Sequence, residues 1–170
     1  RVFVTSNSTY SGKFGGLAGA DNECQSAADL ASLGGSWKAW MSTSTINASS
    51  RLFHSCVSYV LVNGSVVAYD WTDLTTQNNP PTDLNYLRTA IERTEFDVFL
   101  SFGLNYAFTG TRLDGSYQSG DCNGWTSNSV TGARIGFVAY SDYRWSNAST
   151  ISCAASSTVP KRIYCFEQPN

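Results

Sequence analysis

The chain's one histidine, His54, lies two residues before Cys56 in the stretch LFHSCVSYV. Residues two apart on an extended strand point to the same face, so an imidazole base would lie beside a thiol nucleophile. No orienting acid or oxyanion donor is recognisable nearby, which makes catalysis the least favoured of three interpretations of Cys56. A buried, inert thiol is the default, and an intermolecular disulfide is the remaining alternative.

Glu92 and Glu95 have the spacing of one helical face, as an acid and base pair would. Arg88 and Arg93 lie among them, so ordinary surface ion pairs are the simpler explanation. The sequence also lacks G-x-S-x-G, H-E-x-x-H, a Walker loop and a dinucleotide fingerprint. We therefore predict that the protein is not an enzyme and uses no cofactor.

A polar stretch that follows Thr109 supplies oxygen donors of the kind that bind calcium, namely Asp114, Asp121, Asn123 and Asp142. Turn formation explains these residues more economically, since Asp and Asn favour turns. The single histidine and the absence of a C-x-x-C pair also leave no zinc spacing. The sequence predicts no metal site.

The five cysteines, at positions 24, 56, 122, 153 and 165, therefore indicate disulfides in an oxidising compartment. Lys and Glu are scarce, while Gly, Ser, Thr, Asn and aromatic residues are abundant, a balance typical of secreted β-rich domains. Four N-x-[ST] sequons are glycosylation candidates, at Asn7, Asn47, Asn63 and Asn147. We predict an extracellular or cell-surface glycoprotein.

The length of the chain indicates how many domains it forms, and its charge limits the classes of partner that it can bind. The 170 residues fit one domain, 1–170. A net charge of −2 with dispersed Lys and Arg gives no basic footprint, so we expect no nucleic-acid partner. No apolar run of about 18 residues is present, so no membrane span is expected. Because the chain begins without Met or a signal peptide, we expect that it was processed or excised.

The stretch 15–35, GGLAGADNECQSAADLASLGG, predicts one helix bounded by glycines, with Asp21 near its start as a cap. Small side chains recur on one face and let a sheet approach closely. These side chains are Ala20, Cys24, Ala27, Ala28 and Ala31. The periodicity therefore places a cysteine on the inner face of the helix.

Strands are predicted at RVFV, RIGFVAY and KRIYCFEQ, and a hairpin in SYVLVNGSVVAYDW turns at Asn63-Gly64. SWKAWMSTS alternates as a half-buried strand, with Trp37, Ala39 and Met41 on one face and Lys38, Trp40 and Ser42 on the other. The two prolines of QNNPPTD predict an interruption of regular secondary structure. The next stretch, LNYLRTAIERTEFDVF, is predicted to contain about one short helix. Residues 109–133 are predicted to form a long polar loop.

Several of these stretches, in this order, resemble the endostatin-like domains: GGLAGADNECQSAADLASLGGSWKAWMSTST, DWTDL, YAFTGTRLDGSYQSGDCNGWTS, ISCAA and RIYCFEQ. That group includes the collagen-derived endostatins and the bacterial surface proteins called leptospiral endostatin-like. The resemblance runs from about Phe3 to Gln168 and is weakest between Gln77 and Leu104.

The resemblance implies an α+β fold of the C-type-lectin-like class, with mixed β-sheets, one main helix and two nested disulfides. It pairs Cys24 with Cys165 and Cys122 with Cys153, which leaves Cys56 without a family partner. Endostatins bind zinc through an N-terminal histidine cluster, and no histidine precedes His54 here, so that site is not expected.

Aromatic residues near the polar loop are the candidate ligand-binding groups: Tyr117, Trp125, Tyr143 and Trp145. In the first functional hypothesis they recognise a matrix protein or a glycan, as in adhesion. In the alternative, the protein is a glycosylated structural protomer of an extracellular fibril or surface layer, whose partners are further copies of itself. Those copies would join through Cys56 or edge strands, including an exchanged N-terminal strand.

Overall fold

The structure is a computed structural model that describes residues 1–76, 87–101, 103, 105–129, 131–156 and 158–169. It is one mixed α+β domain with a single long helix. The elements in chain order are β1 (Val2–Val4), α1 (Leu17–Leu30), β2 (Ser36–Ala39), α2 (Ala48–Arg51), β3 (Tyr59–Val60), β4 (Val66–Ala68), α3 (Trp71–Thr75), β5 (Tyr106–Phe108), α4 (Cys122–Trp125), β6 (Thr131–Phe137), a 3-10 turn (Tyr143–Trp145), β7 (Ser149–Ser152) and β8 (Lys161–Gln168). The predicted break over 77–83 lies outside the described residues.

The C-terminal strand β8, predicted as KRIYCFEQ, is the centre of a six-stranded sheet. Its residues 161–163 pair in parallel with β5, and its later residues pair antiparallel with β1 and with β2. Beyond β5 the sheet continues through β6 to β7. The predicted hairpin is confirmed as a separate pair, β3 and β4, and Gly64 has the positive φ of 87° that a tight turn favours.

The sheet separates two apolar cores, which explains why β2 differs from its prediction. Trp37, Ala39 and Met41 are buried in one core, while Trp40 is buried in the other. The SWKAWMSTS segment is thus covered on both faces and not half-buried. The alternation of side chains assigned residues to the two faces of the strand correctly. The residues that bury the second face, however, come from distant parts of the chain.

Helix α1 packs on β2 and β8 and buries Ala20, Cys24 and Ala28. The other two alanines of the predicted stripe are half-buried. The predicted cap is wrong, because the helix begins ahead of Asp21, with Gly16 at the N-cap and no capping side chain. Asp21 instead pairs with Arg51 and accepts a hydrogen bond from the backbone N–H of Ala39 at 2.9 Å.

Two disulfides fasten these elements together. Cys24–Cys165 joins α1 to β8 across 141 residues, and Cys122–Cys153 joins α4 to the end of β7 across 31 residues. These are the pairs that the resemblance implies. The small inner face of α1 brings the Cα atoms of Cys24 and Cys165 within 5.4 Å, which suits a disulfide.

The segment predicted to contain a short helix contains none over residues 87–99; Leu84, the first residue of the supposed apolar spacing, lies outside the described residues. Leu87 and Ile91 are buried in irregular chain, which accounts for the apparently helical pattern. A bridge between Arg93 and Phe99 then closes a tight hairpin.

The N-terminal strand β1 is fully buried and has partners along both edges. Val2 pairs with Phe166 of β8 and also forms a parallel bridge with Leu61. Val4 donates its backbone N–H to the carbonyl oxygen of Arg93 at 2.9 Å. Exchange of this strand between copies would therefore have to break both sets of contacts.

No helix in the described part of the chain has the length and apolar character needed to cross a membrane.

Candidate functional site

The predicted aromatic site does not form, because its two tryptophans are buried. Trp125 donates its indole N–H to the carbonyl oxygen of Ser42 at 2.8 Å and is fully buried. Trp145 is also fully buried and packs on Trp40 with ring centroids 5.0 Å apart. The polar loop carries Trp125 inward and the 3-10 turn carries Trp145 inward, so the large apolar area of both rings is removed from water.

The two predicted tyrosines remain nearer the surface. Tyr143 is exposed, while Tyr117 is half-buried and donates its backbone N–H to the Asn47 side chain. No ring contact joins Tyr117 to Tyr143 in the described ranges. Beside Tyr143, burial of Asp142 opposes ionisation, but hydrogen bonds from Arg144 outweigh it and lower the pKa of that carboxyl group.

The four predicted oxygen donors do not converge. Asp114 accepts hydrogen bonds from Ser116, and Asp121 accepts one from the backbone N–H of Ser44. Asp142 is paired with Arg144, and the Asn123 side chain bonds Thr126. Among the residues that the structure describes, no group of three or more His, Cys, Asp and Glu side chains is placed to hold a metal ion.

Cys56 is free and exposed, so the default interpretation of a buried thiol is wrong. The loop around it faces outward, with Phe53 and Val57 also exposed. His54 stacks on Trp71 with ring centroids 3.9 Å apart, and its Nε2 lies 2.6 Å from the carbonyl oxygen of Ser49. The imidazole is thus engaged by Trp71 and Ser49.

The sequons differ in accessibility. Asn7, Asn47 and Asn63 are exposed, whereas Asn147 is half-buried and its Oδ1 atom is buried without a hydrogen-bond partner. The first three side chains are therefore open to a glycan, and Asn147 is much less so.

A cluster of exposed apolar side chains, which sequence reasoning missed, lies on the hairpin of residues 92–100. Phe96, Val98 and Phe99 are 48%, 56% and 50% exposed, and we call them the apolar tip. Single exposed apolar residues are ordinary, but three within four positions concentrate apolar surface on one turn. The run FDVF carried the signal, but its aromatic character indicated only extended chain.

Thr94 holds the apolar tip in one shape. Its buried Oγ1 accepts hydrogen bonds from the backbone N–H groups of Phe96 at 3.3 Å and Val98 at 3.2 Å. Its own N–H donates to the carbonyl oxygen of Val98 at 3.0 Å. Asp97 adopts a φ of 59°, a left-handed conformation that aspartate tolerates in turns. The tip is therefore preorganised, so a partner need not order it.

Glu95 anchors the hairpin to the N-terminal segment. It is buried, and its carboxylate accepts hydrogen bonds from Ser6, one from the backbone N–H at 2.7 Å and one from Oγ at 2.5 Å. Arg162 of β8, also buried, donates to the carbonyl oxygens of Thr5 at 2.7 Å and Ser6 at 2.6 Å. A continuous chain of hydrogen bonds thus connects the sheet to the hairpin.

A family model described as "Protein of unknown function (DUF1554)" matches residues 7–140, well over half of the chain. The chain belongs to the DUF1554 family. The matched span includes the whole 92–100 hairpin, Thr94 and Glu95. It ends before β7 and β8, so half of each disulfide and all of Trp145 lie outside the matched part of this DUF1554 protein. No curated protein matches the chain.

The expected surface ion pairs of Glu92 and Glu95 are absent from the described structure of the DUF1554 domain. The neighbouring arginines pair instead with Asp73 and Asp97. Burial raises the pKa of Glu92, and the charge of Arg93 opposes that shift. Since Arg93 and Asp97 lie 3.5 Å apart beside the tip, their charges offset and leave the patch mainly apolar.

Glu95→Gln should destabilise the DUF1554 domain by about 1–2 kcal/mol, because the amide keeps one acceptor and loses a charge-assisted hydrogen bond. Urea unfolding measures the loss, and amide hydrogen exchange over 94–98 should accelerate. Glu92→Gln is the matched control, with a change within about 0.5 kcal/mol because its carboxylate forms no ion pair with the residues that the structure describes. Equal stability of the two variants would contradict the anchoring role.

Proposed function

We propose that the domain is a non-catalytic extracellular recognition module that binds a protein partner, such as a matrix protein, through the apolar tip. The observation that carries this proposal is the rigid display of Phe96, Val98 and Phe99 to solvent. Apolar side chains held outward in a fixed loop are costly to hydrate and are characteristic of interaction sites.

The chemistry of the tip favours a protein over a glycan. Its three side chains have no hydroxyl or amide group to bond sugar hydroxyls. Thr94 directs its hydroxyl oxygen to backbone N–H groups within the hairpin. Aromatic residues and arginine are enriched at protein interfaces, and Arg93 lies over the Phe99 ring, 5.4 Å from its centroid. An apolar pocket with a polar rim is the matching partner surface.

The size of the tip sets its role within an interface. Two half-exposed phenylalanine rings and one valine offer roughly 250 Å² of apolar surface. Burying it contributes on the order of 6 kcal/mol, and loss of translational and rotational freedom offsets most of this. The tip therefore acts as the anchor of a larger contact, since stable interfaces bury about 800 Å² per partner.

The proposal also includes a fold class and a cellular location for the domain. The mixed α+β architecture, the single main helix and the two disulfide pairs support a C-type-lectin-like, endostatin-like assignment. Disulfides persist in oxidising compartments, which supports an extracellular or cell-surface location.

The test is a double variant, Phe96→Ser with Phe99→Ser, compared with wild type against a panel of purified extracellular-matrix proteins. We expect affinity for a bound matrix protein to fall by at least about tenfold, since aromatic anchors dominate such interfaces. Leu30→Ser is the matched control, because Leu30 is an exposed apolar residue on α1. Equal binding by wild type and the double variant would contradict the proposal.

A structural protomer remains the second candidate, supported by the exposed Cys56 and its exposed neighbours Phe53 and Val57. An odd exposed thiol in a disulfide-containing protein favours an intermolecular bond. Non-reducing mass spectrometry of the secreted protein should then show a Cys56–Cys56 peptide, and Cys56→Ser should abolish covalent assembly. A free thiol in a monomer under oxidising conditions would contradict this candidate.

A further inference from the structure

A second candidate site lies away from the apolar tip, where the end of β7 meets the start of β8. Ile151, Ala154, Ala155 and Val159 line an open cavity of about 220 Å³ at the surface, and Lys161 forms part of its wall. Ligand cavities usually measure about 300–1,000 Å³, so this one suits only a small molecule. Its lining is predominantly apolar, apart from serine groups and the lysine.

Lys161 is an unusual residue to bury here, since only 3% of it is exposed. Its Nζ donates to the carbonyl oxygens of Ser152, at 2.7 Å, and of Ala154. An ammonium group has three N–H donors, so the two carbonyl acceptors that the described residues supply leave one N–H for another partner. The Phe108 ring, whose centroid is 5.8 Å from Nζ, contributes only a weak electrostatic contact.

The described residues place no carboxylate within ion-pair distance of Lys161. Buried charges are ordinarily paired, because removing an ion from water is costly. Burial accordingly lowers the pKa of this lysine. A carboxylate that entered the cavity would supply both the missing charge and a third hydrogen-bond acceptor.

We propose that this cavity binds a small aliphatic monocarboxylate, with the carboxylate on Lys161 and the hydrocarbon tail against Ile151, Ala155 and Val159. The positive wall selects the charge of the ligand, and the apolar lining selects its tail. This site is independent of the apolar tip, so the two proposals succeed or fail separately.

Hexanoate is the first probe, titrated into the isotopically labelled full chain while backbone amide shifts are recorded. We expect saturable shifts confined to 151–156, Val159 and Lys161. Hexylamine and 1-hexanol have the same tail without the carboxylate, and we expect each to bind at least about tenfold more weakly. Absence of saturable shifts with hexanoate, or equal binding of the three probes, would overturn the proposal.

Two variants identify the group responsible. Lys161→Met keeps a long apolar stem and removes the charge, and Val159→Trp fills the cavity while Lys161 stays. Each should weaken hexanoate binding at least about tenfold, and the exposed Lys13→Met control should not. If Lys161→Met fails to fold, the hexanoate affinity of Val159→Trp tests the proposal. Unchanged hexanoate affinity in either folded variant would overturn the assignment.

Discussion

Replacement of Cys24 and Cys165 together by alanine should lower the free energy of unfolding by about 5 kcal/mol. The bond between them closes 141 residues, and a cross-link over so long a segment strongly restricts the unfolded chain. The same change also removes the covalent link between α1 and the central strand β8. Urea unfolding under non-reducing conditions measures the loss, provided that a folded fraction of the variant remains.

Variants of the Cys122–Cys153 bond and of the free Cys56 provide the comparison for the loss of the Cys24–Cys165 bond. Cys122→Ala with Cys153→Ala opens a segment of 31 residues, for which the same chain-entropy relation gives about 4 kcal/mol. Cys56→Ala should change stability by less than about 0.5 kcal/mol, because Cys56 is exposed and unbonded. A loss below about 1 kcal/mol for the outer pair would show that the bond does not stabilise the fold.

Trp145→Ala should destabilise the domain by about 3–5 kcal/mol, because it leaves a large cavity in the core. The indole is fully buried between aromatic rings, 5.0 Å from Trp40 and 5.6 Å from Tyr164 by centroid distance. This outcome is the opposite of what a surface ligand-binding tryptophan would show. Thermal or urea unfolding, recorded by the fluorescence of the remaining tryptophans, measures it.

Tyr143→Ala is the matched control, since Tyr143 belongs to the same 3-10 turn and is exposed. We expect a change of less than about 1 kcal/mol, in keeping with substitutions at the surface. If Trp145→Ala kept wild-type stability and lost binding to a matrix protein, the packing described above would be wrong.

Short-range sequence patterns correctly predicted those helices, strands and turns that depend on residues only a few positions apart. The Asn63-Gly64 turn, the strand KRIYCFEQ and the alanine-rich helix all follow from short-range patterns that the structure retains. Asp21 was assigned to a helix cap from the same kind of reasoning, yet its partner Arg51 lies 30 residues away. Local pattern alone does not indicate a partner at that distance.

The candidate site depended on such long-range contacts. Glu95 is buried because Ser6, 89 residues away in sequence, donates two hydrogen bonds to it. Phe96 and Phe99 then face solvent, although aromatic residues in an extended run ordinarily predict burial. Conversely, Trp125 lies in a polar loop and is buried, because the disulfide at Cys122 and the left-handed backbone there turn the ring inward.

If the apolar tip is the recognition surface, a hydrogen-exchange footprint of the bound protein will lie on it. Wild-type protein is screened against purified matrix proteins and a glycan array, and exchange is then compared between the free protein and the protein bound to whatever it recognises. We expect a protein partner and protection centred on 94–99. Binding to glycans alone, or protection around Tyr143 with the hairpin unchanged, would contradict it.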